Sequence, residues 1–316
     1  MTRVRLNGPL RDAAMRRIVL GRDVASDEAV ALTPEEMARV VHYVTAAGLS
    51  REGEEAFGAE RDGGAGALER LAAEEIMEGF GRLDAGLLRE RRPMILSRAA
   101  SRIAARETVP ADVRSDANAG DVELLLRENL HDGFFVTRAM ELRHPTFSGG
   151  MSPRVRREVF VATDAAIVLP YDPRRDRVLL VEQFRMGPYG RGDPRPWTLE
   201  PIAGRVDAGE TPEQTARREA EEEAGLKLCR LEPVGGHYCS PGCSTEYFHL
   251  FVGLCDLPDK ARGRGGLETE NEDIRTHTLQ FDRAMGLLDT GEADNGPLIL
   301  SLLWLAKERD RLRAIG

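Results

Sequence analysis

The chain has 316 residues, with 44 Lys+Arg against 53 Asp+Glu, for a formal net charge of −9; hydrophobic residues make up 41% and charged residues 31%. This profile is globular, neither disordered nor fibrous, and the length suits about two domains. An acidic balance argues against nucleic acid and anionic membrane as partners, and an anionic substrate then requires something to offset the repulsion. No apolar run approaches the ~18 residues of a membrane helix. The first residues (MTRVRLNGPLRD) carry charge where an export signal needs an apolar stretch, and four cysteines are too few for a disulfide framework. The expectation is a cytoplasmic protein.

Up to about residue 110 the sequence is rich in Ala, Arg and Glu and reads as mostly helical. Thr33, Pro34 and Glu36 form an N-cap, a first-turn proline and a capping-box acid. Met37, Val40, Val41 and Val44 follow at helical spacing, and Gly48 ends the helix. Leu68, Leu71, Ile76, Phe80, Leu83, Leu87 and Leu88 predict a second helical stretch, broken around Gly79 and Gly81. Met94–Ala105 predicts a third helix. Glu107–Gly120 (ETVPADVRSDANAG) has turn formers and almost no large apolar residue, so it is read as a linker. The predicted organisation is therefore an accessory domain over 1–106, a linker over 107–120 and a second domain over 121–316.

Beyond the linker the pattern changes to strands. Ala165–Pro170 and Val178–Phe184 flank a turn at Asp172-Pro173 and read as a hairpin. Tyr247–Cys255 and Ile274–Phe281 are further strand candidates, with helices over Pro212–Ala224 and from about Pro297 to Leu312. The fold class is α/β (α+β), a mixed sheet sandwiched between helices, joined to a smaller, largely helical N-terminal domain.

One segment carries chemistry: GRVDAGETPEQTARREAEEEAGL, Gly204–Leu226. Thr211, Pro212 and Gln214 start a helix and Gly225 ends it. On that helix Glu219, Glu222 and Glu223 fall at i, i+3 and i+4, so three carboxylates share one face. Most Glu-rich faces are simply solvated, but acids this close repel each other, and a hard cation such as Mg²⁺ takes carboxylate oxygens. Arg218 stands four residues before Glu222, able to pair with it or with Glu210. The spacing is more specific than the composition: Gly204, five residues, Glu210, seven residues, then Arg218-Glu219-Ala220-x-Glu222-Glu223-x-Gly225-Leu226.

That spacing resembles the box of the Nudix hydrolases, formed here by Gly204, Glu210, Arg218, Glu219, Glu222, Glu223 and Gly225. Within the family the chain resembles the ADP-ribose pyrophosphatases, over roughly residues 120–310. Pro241 lies sixteen residues after Gly225, and Gly266–Arg275 looks like their acidic loop. Met151–Phe160, Val181–Arg185 and Gly133-Phe134-Phe135 also match. The resemblance implies a Nudix fold and Mg²⁺ (or Mn²⁺), two or three ions per site, held by Glu219, Glu223, Glu272 and the Ala203 carbonyl. It implies Glu270 as general base, Glu222 as a further ligand or a group just behind the ligands, and Arg218 among the catalytic residues. Arg157, Glu158 and Arg185 would hold phosphates and terminal ribose, with Phe134 and Phe135 near the base. Ser240, Pro241, Gly242 and Glu246 would line the substrate loop. The implied reaction is ADP-ribose and water giving AMP and ribose 5-phosphate, in a homodimer.

The alternatives are a pyrophosphatase for another nucleoside diphosphate sugar and a non-catalytic module that senses ADP-ribose. Cys239, Cys243 and His237 lack a second Cys/His pair at zinc spacing, and Trp197 and Trp304 read as core residues. Leu6–Arg22 resembles a degenerate γ-glutamylcyclotransferase-like opening, as in the tellurite-resistance-linked Nudix type. The plainer reading is a helical dimerisation or docking module.

Overall fold

The computed structural model describes residues 1–24, 29–52, 56–57, 65–106, 112–257 and 273–315. Two compact units emerge, one of Met1–Ala117 with Asp207–Gly209, the other of Asn118–Val206 and Glu210–Gly316. Among the described residues no helix is long and apolar enough to cross a membrane.

In the first unit the elements run β1 (Thr2–Leu6), α1 (Ala13–Leu20), β2 (Val30–Leu32), α2 (Pro34–Ala46), β3 (Arg51–Glu52), β4 (Ala56–Phe57), α3 (Ala67–Glu78), α4 (Ala85–Glu90) and α5 (Arg92–Ala104). The α2 start follows its local signal: Thr33 and Glu36 form the reciprocal capping box, with Pro34 in the first turn. Helix breaks fall at Gly79 and before Ala85. The unit is largely helical, as expected, and its short strands are an addition to that reading. They form a small sheet in the order β2-β1-β4-β3, with β1 parallel to β4. Val4, Leu10, Met15, Val40, Tyr43, Phe57 and Ile76 close the core under it. Strands this short carry too few residues to show alternation.

The second unit begins with a three-stranded antiparallel sheet of β5 (Glu123–Asp132), β6 (Val136–Arg143) and β7 (Val155–Val161). There follow β8 (Asp164–Asp172), β9 (Arg177–Phe184), α6 (Met186–Arg191), β10 (Trp197–Glu200), β11 (Ile202–Arg205), α7 (Pro212–Ala224), β12 (Arg230–Tyr238), β13 (Tyr247–Leu254), β14 (Arg275–Gln280), α8 (Phe281–Thr290) and α9 (Gly296–Ala314). The predicted hairpin exists but splays. β8 and β9 pair only at Tyr171↔Val178 and Asp172↔Arg177. Beyond that, β11 takes the edge of β8 and β10 the edge of β9. β13 lies parallel to β8 on its other edge.

The β8 side chains go alternately to two cores, as a sheet covered on both faces requires. Ala166 and Val168 pack with Ala216 and Ala220 of α7; Leu169 and Tyr171 pack with Phe281, Leu298, Leu302 and Leu305 of α8 and α9. The result is a mixed sheet between helices. Trp304 packs partly buried against the α9 core. Trp197, read as core, is 57% exposed. It stands on β10 opposite the buried Thr198, and its ring meets that of Phe184 at 5.5 Å.

Candidate active site

α7 positions the acidic face. Thr211 Oγ1 accepts from Gln214 N at 3.3 Å, and Gln214 Oε1 accepts from Thr211 N at 2.8 Å. Gly225 ends the helix at φ 65°, the left-handed conformation that favours glycine. The small residues Ala216, Ala220 and Ala224 bury one side against the sheet. Glu223 follows them inward and is 3% exposed.

Arg218 gathers the rest of the box. Its Nε and Nη2 donate to Glu210 Oε1 and Oε2, each at 3.0 Å. Its Nη1 donates to Glu219 Oε1 at 2.7 Å and to Glu222 Oε2 at 2.9 Å. Thr215 steadies Glu210 by donating to Oε2 at 2.8 Å. Hydrogen bonding to Glu210, above all, holds the guanidinium above its ordinary pKa despite burial, with Glu219 adding to the effect. The two pairings open to Arg218 in the sequence are thus made together.

Gly204 explains its own place in the box. A Cβ there would lie 1.8 Å from Glu219 Oε1 and 2.1 Å from its Cδ. Any side chain at 204 would therefore require the end of Glu219 to move. Ala203 precedes it on the same strand, paired with Ile167 of β8.

Beside the box a cleft of about 550 Å³ opens, with Arg185, Glu200, Ala203, Gly204, Cys239 and Glu246 among its walls. Arg185 grips Glu200 through Nε, 3.0 and 3.1 Å from the two oxygens, and through Nη2 at 2.6 Å. Burial pushes the Glu246 carboxyl up, while the Cys239 thiol and the charge of Arg185 act the other way. Burial and the neighbouring Glu246 carry the Cys239 thiol up to about 11.

The loop from Ser240 to Glu246 turns tightly, with Cys243 N and Ser244 N both donating to Ser240 O at 3.1 and 2.9 Å. Pro241 and Gly242 are exposed at its tip. The loop is tied to the end of β7: Phe160 N donates to Cys243 O at 2.8 Å and Thr245 N to Phe160 O at 3.0 Å. Phe160 also meets the ring of Phe135 at 4.9 Å, and Phe135 meets Phe134 at the same distance. Phe134 and Phe135 are 70% and 52% exposed, so neither is core.

Arg157 and Glu158 stand exposed on β7 and are not among the residues lining the cleft. Glu270 and Glu272 lie outside the described residues. Thr198, Glu200 and Asn295 are the residues that sequence reasoning misses. Glu200 stands four residues before Gly204, and its only local signal is that closeness to the box.

A glycine strand packed under a capped helix of box carboxylates defines a class. The chain belongs to the Nudix hydrolases, and a profile of the NUDIX domain matches residues 161–302. Particular relatives follow. The ADP-ribose pyrophosphatase of Escherichia coli (strain K12) is 42% identical over 193 residues, covering 61% of this chain and 91% of that protein. The ADP-ribose pyrophosphatase of Haemophilus influenzae is 41% identical over 187 residues, covering 58% and 86%. A GDP-mannose pyrophosphatase of Enterobacter sp. (strain 638) is 30% identical over 184 residues, covering 58% and 94%.

Proposed function

We propose that this chain hydrolyses the diphosphate bond of ADP-ribose, giving AMP and ribose 5-phosphate, with Mg²⁺ (Mn²⁺ as the alternative ion). The observation that carries the reading is the Gly204 cradle, which brings the β11 backbone against Glu219 at a spot a Cβ would fill. The similarity to relatives named ADP-ribose pyrophosphatase supplies the substrate.

The donor set fits a hard divalent cation. Glu219 and Glu223 on α7, with the Ala203 carbonyl and Glu272, would hold it, and all four offer oxygen. Such ions, two or three per site in this reading, would supply positive charge that screens the diphosphate and favours attack by water. The remaining work falls to the chain's own groups. Arg218 keeps Glu219 and Glu222 aligned by donating to both. Glu270 takes the proton of the attacking water. Arg185 offers positive charge to the diphosphate in the cleft, and Arg157 and Glu158 act on the distal substrate. Ser240, Pro241, Gly242 and Glu246 form the wall toward the sugar, and Phe134 and Phe135 offer aromatic faces to the base.

Residues 121–316 are the hydrolase domain in this reading, with 107–120 as linker and 1–106 as a docking or dimerisation module. A cytoplasmic homodimer is part of the proposal. β5 supports it, being an edge strand with Leu124, Leu125, Leu126 and Leu130 all exposed, a surface suited to a second copy. Sedimentation at micromolar concentration tests the dimer.

The relatives named GDP-mannose pyrophosphatase favour a second reading, in which another nucleoside diphosphate sugar is the substrate. One panel separates the two: nucleotide release from ADP-ribose, GDP-mannose and related diphosphate sugars, with and without Mg²⁺. The highest kcat/KM for ADP-ribose is expected. A higher value for another sugar transfers the assignment, and tight ADP-ribose binding without turnover of any compound makes the chain a sensor.

A further inference from the structure

Arg185 is fixed in the cleft by a carboxylate that belongs to neither the acidic box nor the substrate loop. Its N–H donates to Pro196 O at 2.8 Å, which sets the backbone at the end of β9. Its guanidinium meets Glu200 through both Nε and Nη2. Glu200 is in turn held by Thr198, whose Oγ1 donates to Oε1 at 2.5 Å from a 5% exposed position. Thr198 and Glu200 are two apart on β10, so they face the same side of the strand. The Glu200 side chain is 15% exposed and that of Arg185 41%. The inner partner is therefore the anchor, and the outer one reaches the cleft. Glu246 offers a second carboxylate to Arg185 from another wall of the cleft.

A carboxylate that engages two nitrogens fixes the plane of a guanidinium and hence the directions of its other donors. The geometry points to Glu200 as a positioning residue, supported by Thr198, that acts through Arg185 to aim it at the diphosphate of the substrate. Glu200 touches no substrate in this account. It keeps Arg185 oriented when the cleft is empty, so the ordering cost is met before binding. The inference rests on the proposed reading that the cleft takes a nucleoside diphosphate sugar.

The test uses the full chain and the variants Glu200→Gln, Glu200→Asp, Thr198→Val, Arg185→Ala and the Glu200→Gln/Arg185→Ala double. Steady-state kinetics with ADP-ribose and Mg²⁺ are measured beside inorganic pyrophosphate binding by calorimetry and thermal unfolding. Glu200→Gln is expected to raise KM about tenfold while kcat stays within about twofold. Thr198→Val moves the same way by less, and Glu200→Asp recovers part of the loss. The double variant matches Arg185→Ala alone, because a residue acting through Arg185 has no further effect once Arg185 is gone.

Pyrophosphate binding follows the same non-additive pattern whether or not ADP-ribose is turned over. If the wild type hydrolyses no ADP-ribose, the substrate reading fails while the coupling is still measured. Three results overturn the inference. One is additive losses in the double variant. Another is tighter pyrophosphate binding by Glu200→Gln, which makes Glu200 only a repelling charge. The third is a folded Glu200→Gln with unchanged KM and unchanged pyrophosphate affinity.

Discussion

Gly204→Ala is the smallest change that strikes the box without altering a charge. Its added Cβ would lie 1.8 Å from Glu219 Oε1, 2.1 Å from Cδ and 2.4 Å from Cγ, so the whole end of the side chain is in the way. Reaching ordinary contact requires the carboxylate to retreat by about 1.5 Å, taking 3.4 Å as the near limit. That retreat breaks the 2.7 Å bond from Arg218. Overpacking costs about 1–3 kcal/mol, and a charge-assisted hydrogen bond contributes about 1.5–3 kcal/mol. Arg218 keeps Glu210 and Glu222, so part of the second loss is recovered. A net destabilisation of about 2–4 kcal/mol follows, or about 5–15 °C in the unfolding of a unit this size. Misplacing a catalytic group by about 1 Å costs on the order of 10² in rate. Differential scanning calorimetry and nucleotide release against Mg²⁺ concentration read the two effects separately. Gly286→Ala on α8, where an added Cβ meets nothing within 4 Å, is the control. A Gly204→Ala protein with wild-type melting and a wild-type Mg²⁺ profile refutes the cradle.

Glu219→Gln and Glu223→Gln are each expected to abolish Mg²⁺-dependent nucleotide release while the chain still folds; near-wild-type rates in either variant remove the metal assignment. Asp176→Asn tests the turn between β8 and β9, where Asp176 sits at φ 54° and accepts from Tyr171 OH at 2.7 Å and Arg309 Nε at 3.0 Å. Burial raises its pKa, but Arg309, Tyr171 and Arg313 outweigh it and bring the carboxyl down to about 2. A depressed carboxyl stabilises the fold above its unfolded pKa of about 4 and loses that contribution as pH falls through about 2. The variant should therefore melt several degrees lower at pH 7, with the gap closing toward pH 2; a gap constant over that range excludes the ionic contribution. With iodoacetamide at pH 7.5, Cys255 should be the last thiol alkylated, since it is the buried one and burial first, aided by Asp172, carries it up to about 12. Early labelling of Cys255, read by peptide mass, contradicts that environment.

The parts of the molecule legible in sequence are those whose causes are local. Thr211, Pro212, Gln214 and Gly225 lie within fifteen residues, and each acts on backbone beside it, so the bounds of α7 are readable. The same holds for Thr33 and Glu36 at α2. Strands depend on partners distant in sequence, and here the pattern is often obscured. β12 contains Pro233 and Gly235, with a register shift between them, and alternation fails across that bulge. β5 has apolar residues exposed in succession, from Leu124 to Leu126, so no face stands out. α8 begins at Phe281, the residue where the predicted strand ends, and its short pattern is lost in that overlap. Arg185 and Glu200 are fifteen residues apart, and the β9–β10 ladder just before Arg185 brings them together.

Arg218 also changes what the acidic face means. In sequence, three carboxylates at i, i+3 and i+4 look mutually repulsive, and the repulsion itself argues for a cation. In the structure one guanidinium already touches Glu210, Glu219 and Glu222. Repulsion among those acids therefore no longer requires an ion, and an acidic stripe bridged by arginine is stable by its own contacts. The weight passes to two features of burial and packing. Glu223 is turned inward, at 3% exposure, on a helix where solvent was available to it. Gly204 lets a strand press onto Glu219 where any side chain would collide. A solvated acidic face needs neither, whereas a site that gathers carboxylates around a strand carbonyl needs both.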